Sequence, residues 1–181
     1  MTRFSISRLL GCALGCAALV LSGLSASAGK TGSTEVTANA GTTFVLTQTP
    51  TNAALFTHTV DGVVQVSNLG NCTVHFNVLV TAMSATLFGL NGTLTITNAA
   101  ATATLNADVV GFGIIQSDNA NFLDIHYEVA FTGGSGALAG ASGYAEINGF
   151  GFFTTQGLVQ PTGAYATGKA TWTMKGTVKT N

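Results

Sequence analysis

Hydrophobic and polar residues alternate with a period of two along most of the chain. Near the C-terminus, residues 169–179 place three lysines and three threonines on one side and apolar residues, including Trp172 and Met174, on the other. Successive side chains of a β-strand point to opposite faces, and lysines mark the face in water. We therefore predict a strand here with Trp172 and Met174 in the core. No stretch shows a convincing helical period, so the chain is predicted to be all-β.

The same alternation predicts further strands, at residues 43–48, 55–60, 63–67, 72–82, 85–90, 93–97, 102–110, 124–132 and 143–147. Three dipeptides, Asp61-Gly62, Asn91-Gly92 and Asn148-Gly149, have the composition of two-residue hairpin turns. Eight to ten antiparallel strands in one domain predict a closed barrel or a sandwich.

The N-terminal residues have the pattern of a secretory signal peptide. Arg3 and Arg8 precede an apolar run over residues 9–24, and Ala26-Ser27-Ala28 is a small-residue cleavage site. We expect cleavage after Ala28, which leaves a single domain at residues 29–181 that is secreted, periplasmic or on the cell surface. The run is short and broken by glycines, so no membrane span is expected after cleavage. A lipoprotein signal ending at Cys12 is the alternative, but that cysteine comes very early.

Cleavage removes both arginines and two of the three cysteines. Four lysines and seven acidic residues remain, which gives a net charge of −3. Without arginine or a basic patch, nucleic-acid binding and bidentate phosphate recognition are excluded. Cys72 is then the last cysteine, so no intramolecular disulfide can form. Its place in an alternating run predicts a small buried hydrophobic residue.

Residues 131–145 form a stretch rich in glycine and small residues between two predicted strands. The stretch resembles the loop of allene oxide cyclases and dirigent proteins, roughly G-G-S/T-G-x-F-x-x-A-x-G. Residues 66–73 and 170–178 look like elements of secreted bacterial relatives of unknown role. The resemblance implies an eight-stranded antiparallel barrel that is often a homo-oligomer. We expect Gly133, Gly134, Gly136 and Gly143 to include positions with positive φ or close backbone approach.

The resemblance gives little support to an enzyme. In dirigent proteins the loop continues A-R-G, and that arginine belongs to the proposed active site, whereas Ser142 stands at this position. Glu146 shares a strand face with Tyr144, and if that face pointed inward, desolvation would raise the pKa of Glu146 and make it an acid/base candidate. An exposed strand residue is the competing interpretation. Tyr127 is predicted to point into the core, so Glu146, Tyr144 and Tyr127 are the weak catalytic candidates.

Metal and cofactor sites have weaker support. Asp124, His126 and Glu128 share a strand face and could join His75 around a divalent metal, but an exposed polar face explains them equally well. His58 is interpreted as a surface residue. The Gly134–Ala139 match to a dinucleotide fingerprint lacks the long helix that the motif requires. We therefore predict no metal and no cofactor.

The function favoured by the sequence is non-enzymatic. An apolar interior suits an exported barrel that binds a small apolar molecule or serves as a surface or matrix component. The alternative is a cyclase- or isomerase-like enzyme with an apolar lumen and one or two inward polar groups. An outer-membrane barrel is a third interpretation, disfavoured by the few aromatic residues and by the three lysines on one face of the last strand.

Overall fold

The computed structural model describes residues 32–49, 51–159 and 163–180, which form a closed barrel of eight antiparallel strands. The strands are β1 (Gly32–Thr49), β2 (Asn52–Val66), β3 (Gly70–Ala82), β4 (Leu87–Asn98), β5 (Thr104–Ile115), β6 (Phe122–Ser135), β7 (Ser142–Val159) and β8 (Gly163–Thr180). Each strand pairs with its sequence neighbours, and β1 pairs with β8 to close the sheet. The predicted eight-stranded barrel is confirmed. The predicted signal peptide, residues 1–28, lies outside the described residues.

The barrel interior is filled by the inward side chains of every strand, which form one hydrophobic cluster. In β8, Trp172 and Met174 are buried while the three lysines are exposed, as predicted. In β3, Cys72 is the first of the strand's buried inward residues, as predicted, and burial raises the pKa of its thiol. Among the described residues, no helix is long and apolar enough to cross a membrane.

The three predicted hairpin turns are wrong. Asp61-Gly62, Asn91-Gly92 and Asn148-Gly149 lie inside β2, β4 and β7, which run on through them. Their glycines allow neighbouring backbones to approach closely. A Cβ on Gly92 would lie 2.1 Å from the Asn77 carbonyl oxygen, and one on Gly149 would lie 2.4 Å from that of Thr171. Glycine is used in these strands as a point of close packing between tightly curved neighbours, not as a turn residue.

The glycine-rich connection between β6 and β7 lies at one end of the barrel, here called the loop end. A short 3₁₀ turn at Gly136–Leu138 buries the side chain of Leu138. Gly133, Gly136 and Gly143 have positive φ, and a Cβ on Gly134 would lie 2.2 Å from the Thr104 carbonyl oxygen. The expectation for these glycines is therefore confirmed. The connection also adds one side chain, that of Leu138, to the hydrophobic core.

Candidate functional site in the barrel lumen

A cavity of about 30 Å³ lies inside the barrel toward the opposite end, here called the cavity end, where β1, β3 and β5 finish. Its described lining is Phe44, Leu46, His58, Val80, Phe88, Leu90, Gly113, Leu123, Ile125, Tyr127 and Phe153. A second cavity of about 20 Å³ lies against the same His58, Ile125 and Tyr127 and also against Trp172. Each holds roughly one or two water-sized spheres. Apart from His58, Tyr127 and the Trp172 indole, the described lining of the two cavities is therefore apolar.

Tyr127 extends from β6 into the lumen, as the alternation predicted. The residue is 3% exposed, and its ring packs against Phe76 with centroids 5.7 Å apart. The hydroxyl has no hydrogen-bond partner within the described part of the chain. Burial raises the pKa of this hydroxyl far above its ordinary value, so it stays protonated. Tyr127 is therefore a hydrogen-bond donor without an acceptor. Leaving a buried hydroxyl unpaired lowers the stability of a fold by about 1–3 kcal/mol.

His58 is buried, and its interpretation as a surface residue is wrong. It extends inward from β2, is 5% exposed, and stacks edge-to-face on Phe44 with ring centroids 5.2 Å apart. Burial lowers the pKa of its imidazole to about 4, so the ring is neutral at pH 7. In the continuous β2, His58 has the same inward parity as Val60 and Val64, and that parity would have placed it inside.

The other buried polar groups near the lumen are paired. The indole Nε1 of Trp172 donates to the Thr42 hydroxyl at 3.3 Å, and that hydroxyl donates to the Ala170 carbonyl at 3.4 Å. The Trp172 ring also packs edge-to-face on Phe76 and lines the second cavity. The buried polar atoms of Trp172 and Thr42, on β8 and β1, thus have hydrogen-bond partners within the protein, in contrast to the Tyr127 hydroxyl. Trp172 is placed to report on molecules in the lumen.

The structure separates the three catalytic candidates. Tyr144 is 75% exposed on the outer face of β7, and Glu146 is exposed on the same face. Glu146 pairs across the sheet with Glu128 on one side and with Lys175 on the other. The condition for a desolvated Glu146 is therefore not met, and the competing interpretation as an exposed strand residue describes it. Of the three candidates, Tyr127 reaches the lumen.

The residues considered for a metal site are likewise not brought together. Asp124, His126 and Glu128 lie on the outer side of β6, whereas His75 lies on β3, with β4 and β5 between them. The His126 Nδ1 is 2.8 Å from the Asn148 Oδ1. Among the described residues, no group of three or more His, Cys, Asp and Glu side chains could hold a metal ion.

These features define a closed eight-stranded β-barrel with a small, largely apolar lumen. No protein-family model matches the chain, and no curated protein matches it. Among solved structures, the chain is similar to the pterocarpan synthase dirigent protein GePTS1, with 18% identity and a TM-score of 0.33 over 78% of this chain and 85% of that one. A TM-score of 0.33 is too low to indicate a shared fold by itself. The barrel assignment therefore rests on the strand pairing.

Proposed function

We propose that this protein is an exported barrel that binds a small, uncharged, largely apolar molecule in its lumen without changing it chemically. The observation that carries this proposal is the cavity of about 30 Å³ whose apolar wall includes the neutral groups of His58 and Tyr127. Concave apolar pockets with a few polar groups are typical ligand sites. Export follows from the N-terminal pattern of residues 1–28, and assembly into a homo-oligomer from the family resemblance.

The charge distribution favours binding over catalysis. Every Asp, Glu and Lys side chain that the structure describes is exposed, so none of them faces the lumen. Catalysis of ionic steps needs charges or strong dipoles aimed at the reacting atoms. With a pKa near 4, His58 is a weak base, and the raised pKa of Tyr127 makes it a weak acid. At neutral pH both groups suit hydrogen bonding better than proton transfer.

The size of the cavity limits what can bind without rearrangement. A space of about 30 Å³ accepts a group of few atoms. Leu46, Phe88 and Leu123 line the cavity and are only half-buried. A ligand with a ring would displace some of these side chains at the cavity end.

A second candidate function is supported by Tyr127 itself. A cyclase- or isomerase-like enzyme needs an inward polar group in an apolar lumen, and Tyr127 is such a group. The two functions differ in one measurement. Incubation of a bound carbonyl compound with the protein, followed by chromatography, should return it unchanged if the barrel only binds. Turnover that is lost in Tyr127→Phe would establish the enzyme instead.

Ligand binding can be tested by filling the cavity. Val80 lines the cavity, whereas Val63 is exposed on the outer face, so Val80→Phe and Val63→Phe make the same change in two environments. We expect toluene and cyclohexanone to raise the melting temperature of the wild type and of Val63→Phe, and to shift their Trp172 fluorescence. Val80→Phe should show neither effect while keeping a cooperative unfolding transition, since overpacking typically costs about 1–3 kcal/mol.

An equal response in Val80→Phe would place the probes elsewhere. No response in any of the three proteins would contradict lumen binding and favour the alternative of a surface or matrix component.

A further inference from the structure

Two groups that can form hydrogen bonds mark the same part of the lumen. Tyr127 and His58 both line both cavities, so a molecule in either space lies against both residues. The Tyr127 hydroxyl is fully buried beside the cavities, exposes almost no surface to either of them and has no acceptor among the described residues. A ligand oxygen therefore reaches it only when the side chains around the cavity move. The remaining described lining of the first cavity is apolar. In such a site, a ligand that can form a hydrogen bond is distinguished from a hydrocarbon of the same shape.

Building on the binding function proposed above, we propose that the lumen selects uncharged molecules with an apolar body and one oxygen, and that Tyr127 recognises that oxygen. A ketone, ester or ether oxygen would accept a hydrogen bond from the Tyr127 hydroxyl. This residue therefore determines specificity, and it acts through direct contact with the ligand.

The preference for an oxygen follows from the state of the free barrel. The Tyr127 hydroxyl pairs with no described residue, so an incoming acceptor breaks no hydrogen bond between protein groups. A hydrocarbon of the same shape would leave the buried hydroxyl without a partner. Sites built to pair with a polar atom discriminate against analogues that lack it, because their own buried group then stays unpaired.

The preference for an uncharged ligand follows because no charged side chain among the described residues faces the lumen. Lys169, Lys175 and Lys179 are exposed on the outside of β8, and His58 is neutral at pH 7. A carboxylate in the lumen would lose its hydration without gaining a cation, which is strongly unfavourable. A neutral imidazole has one donor and one acceptor nitrogen. His58 can therefore tolerate an alcohol as well as a carbonyl compound.

Four probes of nearly equal shape test these two preferences. Acetophenone has a carbonyl oxygen, α-methylstyrene replaces it by a methylene group, benzoate carries a charge, and 1-phenylethanol carries a hydroxyl. Their dissociation constants would be measured by titration calorimetry at pH 7 for the wild type, Tyr127→Phe and Tyr144→Phe. Tyr144 is the matched control because it is exposed on the outer face. Phe at position 127 keeps the ring and removes only an unpaired hydroxyl, so the variant should fold.

We expect acetophenone and 1-phenylethanol to bind and benzoate not to bind. The affinity ratio of acetophenone to α-methylstyrene should fall about tenfold in Tyr127→Phe, as expected for one lost hydrogen bond, and should stay unchanged in Tyr144→Phe. In the absence of any probe, Tyr127→Phe should melt at a higher temperature than the wild type.

The possible failures are distinguishable. An unchanged ratio in Tyr127→Phe, or benzoate binding as tightly as acetophenone, would overturn the proposed selectivity while leaving lumen binding intact. A lower melting temperature of free Tyr127→Phe would show that the hydroxyl is already paired, by a buried water molecule for example, and would also overturn it. Failure of all four probes to bind would remove the binding function itself.

Discussion

Acidification is expected to destabilise the barrel through His58, a residue that the fold buries without a charged partner. An ordinary histidine has a pKa of 6.5, and burial lowers that of His58 to about 4. Between these two values the unfolded chain binds a proton at this residue and the folded barrel does not. Where the unfolded state binds more protons than the folded state, the free energy of unfolding decreases as the pH is lowered. The contribution of His58 is therefore constant above about pH 7 and is lost as the pH falls toward 4.

The magnitude follows from the two pKa values. Each unit of difference corresponds to about 1.4 kcal/mol, so a shift from 6.5 to about 4 removes about 3 kcal/mol when complete. About 1 kcal/mol of this should be lost between pH 7 and pH 5.5, and most of the rest by pH 4. Domains typically have a total stability of about 5–15 kcal/mol, so the effect is large enough to measure.

Urea unfolding at pH 7, 5.5 and 4 provides the measurement, with wild type and His58→Leu compared at each pH. Subtraction removes the contributions of the carboxylates and of the two exposed or half-buried histidines, which both proteins share. We expect the wild type to lose about 3 kcal/mol more than His58→Leu between pH 7 and pH 4. His126→Gln, altered on the outer face, should keep the wild-type difference. Equal losses in wild type and His58→Leu would show that the imidazole is not desolvated.

Three further predictions concern glycines and export. Gly92→Ala should lower the free energy of unfolding by more than about 1 kcal/mol because its Cβ would collide with backbone, whereas Gly41→Ala, with nothing within 4 Å of the new Cβ, should leave the urea midpoint unchanged or slightly raised. Gly134→Ala should also cost more than about 1 kcal/mol, and an unchanged midpoint would mean that the loop end is not packed as described. Mass spectrometry of the exported protein should find Gly29 as the first residue; a lipid-modified Cys12 or a retained Met1 would contradict the predicted signal peptide.

The fold was largely predictable because alternation is a local property of the sequence. Three lysines in β8 identified the outer face, and the inward parity of Ile125 and Tyr127 in β6 followed from the same argument. Strand ends were less predictable. Asn91-Gly92 has the composition of a turn, and the reason for its glycine is the backbone of Asn77 on the neighbouring strand. That contact joins residues far apart in sequence, so no local pattern reports it.

The site was only half predictable, for a related reason. The direction in which Tyr127 points follows from parity, but the cavity beside it depends on how eleven described residues from different strands fill a volume. His58 was missed for another reason: it has the parity of Val60 within the predicted strand at 55–60, but a histidine without a partner on a predicted hairpin arm was interpreted as exposed. Glu146 shows the opposite limit. Lys175 was already predicted to be exposed, and the missing information was that Glu146 pairs with it, because paired residues of adjacent strands share a face.

The position of the two unfavourable groups is the strongest physical argument for a function in the lumen. Trp172 and Thr42 show that this barrel can pair its buried polar atoms, and most inward positions are apolar. Tyr127 departs from both patterns and His58 from the second, and both line the same two cavities. Phenylalanine at both positions would fill an apolar core at lower energetic cost. Residues that depart from the rules of a stable core are expected at functional sites. His58 and Tyr127 are two such residues beside the same cavities, and a small molecule with one oxygen would supply the hydrogen-bond acceptor that the Tyr127 hydroxyl lacks.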